Sequence, residues 1–153
     1  MTVPGDALRS LRGDSRLADG WIHAEEIPPR EPRYGTPDPP FPGQIQEFLD
    51  SRKIRLYSHQ CEAAQAFREK KNVVMTTPTA SGKTLAFALP VFEALLTQPG
   101  STFLFLYPTK ALTRDQHKTL RALEEGFCTG AVSAVYDGDT ATSARARIRQ
   151  EAR

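Results

Sequence analysis

Eight consecutive residues, Thr77-Pro78-Thr79-Ala80-Ser81-Gly82-Lys83-Thr84, combine small hydroxylated side chains with a glycine, a lysine and a threonine. Together they suit the binding of a triphosphate. Gly82 lets the backbone approach a phosphate closely, and the loop amides, those of Thr79, Ala80 and Ser81 among them, can surround its oxygens. Lys83 supplies a mobile cation and the Thr84 hydroxyl can ligate Mg²⁺. The strict pattern G-x-x-x-x-G-K-[ST] fails at its first glycine, which is Thr77 here, and a bare Gly-Lys-Thr is weak evidence. Context carries the reading. Asn72-Val73-Val74-Met75-Thr76 is short, apolar and β-branched, as a buried parallel strand should be. A helix marked by Leu85, Ala88, Leu89, Phe92, Leu95 and Leu96 follows. A loop between a strand and its helix is where an α/β sheet binds ligands. Without that context the same residues would read as an ordinary helix N-terminus rich in Ser and Thr.

The elements that must position this loop begin at Gln44. Ile45, Phe48 and Leu49 share one helical face. Ser58 is placed to cap a helix through about Glu69 that carries Cys61, Ala64 and Phe67 at helical spacing. Pro90 inside the helix after the loop predicts a kink. Thr102-Phe103-Leu104-Phe105-Leu106-Tyr107 reads as a second strand, a helix on Leu112, Gln116, Leu120 and Leu123 follows, and Ala131 to Tyr136 reads as a third strand. Alternating strands and helices predict an α/β fold with a parallel sheet covered by helices. Before Gln44 the character differs. Eight of the 12 prolines fall in the first 50 residues, seven of them in two clusters, and each removes a donor and restricts its predecessor. Residues 24–43 should therefore form an extended, irregular arm. A short helix at Ala7–Leu11 and an edge strand at Trp21–His23 are the candidates ahead of it. The predicted organisation is an amino-terminal extension and proline-rich arm over residues 1–43, then a nucleotide-binding unit over 44–153.

At 153 residues the chain is long enough for about one domain. Its 39% hydrophobic and 25% charged content fits a globular protein, not a disordered tail or a disulfide scaffold. The net charge of +2 divides unevenly: residues 1–50 hold 5 basic and 9 acidic side chains, and the remainder 15 and 9. A net +6 permits an anionic partner without requiring one. Cys61 and Cys128 form no CxxC pair, and His59 has no second ligand pair to complete a zinc site. The absence of a signal-type or membrane-length apolar run leads to an expected cytoplasmic location with no membrane partner.

Thr79, Ser81, Gly82, Lys83 and Thr84 match the Ala-x-Thr-Gly-Ser-Gly-Lys-Thr loop of DEAD/DEAH-box helicases of superfamily 2, and the chain resembles that family in three further segments. Thr77 replaces the family's Ala and Ala80 its Gly. Leu56-Tyr57-Ser58-His59-Gln60 resembles the adenine-recognition motif, in which the Gln60 amide would both donate to and accept from the base, with Tyr57 stacking on the ring. Pro108-Thr109-Lys110-Ala111-Leu112 looks like motif Ia. There, backbone amides, the Thr109 hydroxyl and Lys110 would hold phosphates of one nucleic-acid strand, which fixes position without reading sequence. Arg114 and Gln116 would extend that contact. Tyr136-Asp137-Gly138-Asp139-Thr140 resembles a Gly-Asp-Thr segment on the nucleic-acid side of some of these helicases, which assigns Gly138, Asp139 and Thr140 to the strand. Taken alone, Gln60 is an exposed helix residue, the Arg114 and Gln116 positions are a solvated face and Asp-Gly-Asp is a turn.

The combination is similar to the DNA-repair branch that includes the bacterial mitomycin repair factor and its fungal relatives. That resemblance implies a partial RecA-like P-loop domain, ATP and Mg²⁺ as cofactors, DNA as the nucleic-acid partner, and a carboxy-terminal helicase domain that these residues do not contain. Hydrolysis in the family also needs an acidic strand motif and an arginine finger. No Asp-Glu-x-His or Asp-Glu-Ala-Asp sequence occurs here. Asp137 and Asp139 follow a strand but occupy the nucleic-acid motif's place. Residues 141–153 predict an exposed basic helix, after which the family would continue, so the chain is expected to be an amino-terminal portion that binds ATP and nucleic acid without hydrolysing alone. The alternative is a P-loop phosphotransferase or a non-helicase nucleotide-binding module whose basic surface serves a protein partner.

Overall fold

The computed structural model describes residues 9–11, 13–20, 31–78 and 81–151. The chain divides into two compact units, Met1–Glu31 and Pro32–Arg153. In the first, residues 9–11 are helical, a short 3-10 helix spans Ser15–Gly20, and Arg16 pairs with Asp14 at 2.7 Å. The candidate strand at Trp21–His23 and the start of the candidate helix at Ala7 lie outside the described residues. Among its described residues the second unit holds five helices: α1 (Gly43–Ser51), α2 (Ser58–Arg68), α3 (Lys83–Thr97), α4 (Lys110–Phe127) and α5 (Thr142–Glu151).

Helical apolar spacing decides which faces are buried. Ile45, Phe48 and Leu49 of α1 meet Leu120, Leu123 and Phe127 of α4, and Leu89 and Phe92 of α3 close the same core. Phe127 is fully buried and takes Phe48 and Phe92 edge-on, with ring centroids 4.8 and 5.2 Å away, the arrangement that ring quadrupoles favour. Gly126 makes the α1–α4 approach possible. A Cβ there would lie 2.2 Å from the Phe48 ring, so the helix accepts about 1 kcal/mol of lost propensity for close packing.

Residues 32–42 contain no helix, as their prolines predict, yet they belong to the second compact unit. Phe41 is buried in the core, and Tyr34 makes an isolated antiparallel bridge with Tyr57. Arg68 of α2 clamps this segment: it forks onto Glu93 of α3 at 2.8 and 2.9 Å, donates to the Pro39 carbonyl at 2.7 Å and lies over the Phe41 ring. The helix at Ser58 starts one residue earlier than a Ser58 cap implies. Tyr57 is the cap position, and the Gln60 side chain returns to its N–H. Helix α3 is continuous through the buried Pro90.

The three apolar segments expected as strands contain no helix, and none forms a β-ladder among the described residues. Two of them nevertheless show a strand's period. Exposure alternates residue by residue along 101–107 and 131–137, with Phe103, Phe105 and Tyr107 turned toward the body and Leu104 and Leu106 more than 80% exposed.

Candidate nucleotide and nucleic-acid site

Gly82 stands at the entrance to α3 with φ +73°, a left-handed conformation in which a side chain would be strained. Its shape is needed twice over, because a Cβ would lie 2.5 Å from Gln60 Nε2. Lys83 and Thr84 follow as the first two residues of the helix. The Lys83 ammonium donates to the carbonyls of Thr77, at 2.8 Å, and Pro78, and lies 3.5 Å from Ser81 Oγ. Thr77 Oγ1 and Ser81 Oγ are 2.7 Å apart and close the loop from inside. Thr79 and Ala80 lie outside the described residues.

Two side chains of α2 brace this loop. Gln60, 2% exposed, donates from Nε2 to the Gly82 carbonyl at 2.9 Å, while its Oε1 accepts from the Tyr57 N–H at 2.8 Å. His59 Nε2 lies 2.9 Å from the Ser81 carbonyl, which can only accept, so that nitrogen carries the proton. The His59 ring stacks on Tyr57, Tyr57 stacks on Tyr34, and the Arg55 guanidinium lies 3.8 Å above Tyr34. A column of planar groups therefore runs from the loop to the proline-rich segment. Sequence reasoning singled out Tyr57 and Gln60 but missed Tyr34, Arg55 and His59. The contact between Tyr34 and Tyr57 depends on where the proline-rich segment returns, and no local spacing encodes that.

The strand-facing candidates group at the start of α4. Thr109 caps the helix through its hydroxyl, which accepts from the Leu112 N–H at 3.2 Å. Lys110 Nζ lies 2.6 Å from Asp139 Oδ1, and Arg114 Nη2 lies 3.3 Å from Oδ2. All three side chains are more than half exposed. Pro108 is exposed beside them, and Gly138 faces the Lys110 side chain. The turn that presents Asp139 is fixed internally. Asp137 Oδ1 accepts from the Asp139 N–H at 2.8 Å, Thr140 Oγ1 accepts from the Asp137 N–H at 2.9 Å, and Arg145 donates to the carbonyls of Thr140 and Asp137. Thr140 thus spends its hydroxyl inside the turn. The hydrogen bond from Lys110 holds the Asp139 carboxyl below the usual carboxylate range. Both aspartates are engaged in ion pairing and turn closure, and no cluster of three or more metal-ligating residues occurs among the described residues.

Gln116 stands apart from that group. From the second turn of α4 its Oε1 accepts the Thr84 hydroxyl at 3.1 Å. It therefore lies on the phosphate-loop side, facing the residue expected to meet Mg²⁺.

The family model described as DEAD/DEAH box helicase matches residues 57–153. The chain belongs to the DEAD/DEAH box helicase family. It is 34% identical over 94% of its length to the uncharacterized ATP-dependent helicase YprA of Bacillus subtilis, of which it covers 19%. It is 32% identical over 99% of its length to the ATP-dependent helicase HRQ1 of Saccharomyces cerevisiae, covering 14% of that protein. Its structure superposes on the crystal structure of the DUF1998 helicase MrfA bound to DNA and AMPPNP with a TM-score of 0.84 at 32% identity, over 99% of this chain and 21% of that one. The chain thus spans about a fifth or less of these relatives. The MrfA match takes in the described proline-rich segment, residues 32–42, as well as the helices. Among the described residues of this DEAD/DEAH box chain, no helix is long and apolar enough to cross a membrane.

Proposed function

We propose that this chain forms the ATP-binding site and one strand contact of an ATP-dependent DNA helicase of the repair type. The observation that carries the reading is the placement of Lys83 and Thr84 on the first turn of α3 behind a left-handed Gly82. A triphosphate entering the loop would take the Lys83 ammonium over from the Thr77 and Pro78 carbonyls and meet loop amides, those of Thr79, Ala80 and Ser81 among them. Gln60 and Tyr57 border the place where adenine would lie. The donor set fits Mg²⁺: one hard hydroxyl oxygen from Thr84 beside a phosphate-binding lysine, with remaining ligands from phosphate and water, is how this ion is commonly held. Bound there, Mg²⁺ would neutralise charge on the phosphates. Hydrolysis would further require a carboxylate and an arginine that none of the motifs in these 153 residues supplies.

The finer fold belongs to the same proposal. Residues 72–76, 102–107 and 131–136 are strands of a parallel sheet, supported by the alternating exposure of the latter two and by a cavity of about 590 Å³ bordered by Val73, Met75, Phe105 and Tyr107. The organisation is an amino-terminal extension followed by the front of a RecA-like domain. The strand contact comprises Pro108, Thr109, Lys110 and Gly138, with Asp139 and Thr140 shaping the turn opposite. A phosphotransferase reading has less support, because Lys110 and Arg114 sit on the helix whose Gln116 touches Thr84. Titration of single-stranded DNA at increasing salt tests the reading. Phosphate contacts release counterions, so affinity should fall steeply and log-linearly. No binding even at low salt would overturn the strand assignment.

A further inference from the structure

Four threonine hydroxyls on helices make contrasting choices. Thr97, Thr113 and Thr119 each donate back to the carbonyl four residues earlier, at 2.8, 3.0 and 3.4 Å, the usual local outlet for a helical threonine. Thr84 instead donates across to α4, to Gln116 Oε1. The glutamines differ in the same way. Gln46 and Gln65 donate to a carboxylate four residues on along their own helices, at 3.0 and 2.8 Å. Gln116 makes only a 3.5 Å contact to its neighbour Asp115, too long to fix the amide, so Thr84 is the partner that orients it. Both groups border the cavity of about 590 Å³ that Lys83 also lines.

From this pairing we infer that Gln116 is a positioning residue for the nucleotide's metal ion: it accepts the Thr84 hydroxyl proton and so turns the oxygen lone pairs toward Mg²⁺. The inference rests on the nucleotide reading above and deepens it. A hydroxyl that ligates a cation through oxygen keeps its proton and must place it on an acceptor. A side-chain carbonyl or carboxylate oxygen can take that proton, and partners that orient ligands in this way affect metal affinity substantially. The same bond ties the metal-facing hydroxyl to the helix that Thr109 caps and Lys110 begins.

The test is the ratio of affinities for a fluorescent ATP analogue with Mg²⁺ and with EDTA, measured on the full chain, alongside single-stranded DNA affinity without nucleotide. Gln116→Leu keeps the size and removes the acceptor; Gln116→Glu keeps an acceptor oxygen at the same reach. In Gln116→Leu the Mg²⁺ ratio should drop by about tenfold, within the range for orienting partners, and Gln116→Glu should retain it. Equal loss in both variants would overturn the acceptor role. So would an unchanged ratio accompanied by weaker DNA binding, which would make Gln116 a strand contact. A wild-type chain that binds nucleotide equally with and without Mg²⁺ would refute the inference alone. Failure to bind nucleotide at all would instead refute the nucleotide reading, and the inference with it.

Discussion

The proposed phosphate loop and the proposed strand face sit at the starts of two successive helices, and they are built on opposite principles. The loop is held from behind by a buried amide, with Gln60 bonded at both ends and 2% exposed. Left without its partner, either end would have no nearby water to replace it. The strand face consists of ion pairs more than half exposed to solvent, and such pairs contribute little because water competes with them. A site for a compact, highly charged ligand gains from a rigid cradle. A face that must grip and release successive phosphates gains from contacts that exchange at small cost.

Substitution should expose that difference in graded steps. Gly82→Ala should have the largest effect, since it forces a side chain into the left-handed region and against Gln60. A stability loss of about 2–4 kcal/mol is expected from strain and a displaced buried bond together, read by chemical denaturation. A loss near zero would mean that the loop is not braced. Gln60→Ala should come next at about 1–3 kcal/mol, the cost of leaving the Tyr57 N–H unpaired and the Gly82 carbonyl with only its 3.4 Å bond from the Ala86 N–H. It should also reduce the preference for ATP over GTP in competition binding.

Asp139→Asn should have the smallest effect and the opposite sign. It frees Lys110 and Arg114, so affinity for single-stranded DNA should rise by roughly two- to fivefold at low salt and converge with wild type at high salt. A fall in affinity would show that the carboxylate orients the cations for the strand. The pH dependence follows from the lowered Asp139 carboxyl. A depressed acid contributes while ionised, so its ion pairs persist at and above the usual carboxylate range and are lost only as pH falls through the lower folded value. Carboxyl chemical shifts should place this titration below that of a free aspartate.

Much of this arrangement is legible in the sequence because it is local. The helix that starts directly after the loop at Lys83 follows from hydrophobic period and chain neighbours, and the apolar faces of α1, α3 and α4 follow from helical spacing. Contacts that bring distant segments together are not legible in this way. Nothing near Tyr34 announces that it stacks on Tyr57, and nothing near Gln116 announces Thr84 as its partner. Its place after Lys110 and Arg114 pointed to the strand face instead. Residues 32–42 read as an arm because their prolines exclude helix, yet Phe41 reaches the core. Pairing of apolar segments is equally non-local: alternation appears in the exposure pattern of residues 101–107 and 131–137, while a ladder needs a neighbour that local sequence does not specify.

The nucleotide assignment rests most directly on Lys83. Equilibrium titration of a fluorescent ATP analogue with Mg²⁺ against the wild-type chain and Lys83→Ala, both verified as folded by circular dichroism, isolates its ammonium. The expected result is affinity at least about tenfold weaker in the variant, a difference of about 1.4 kcal/mol. Equal affinity in the two proteins would contradict the phosphate-loop assignment.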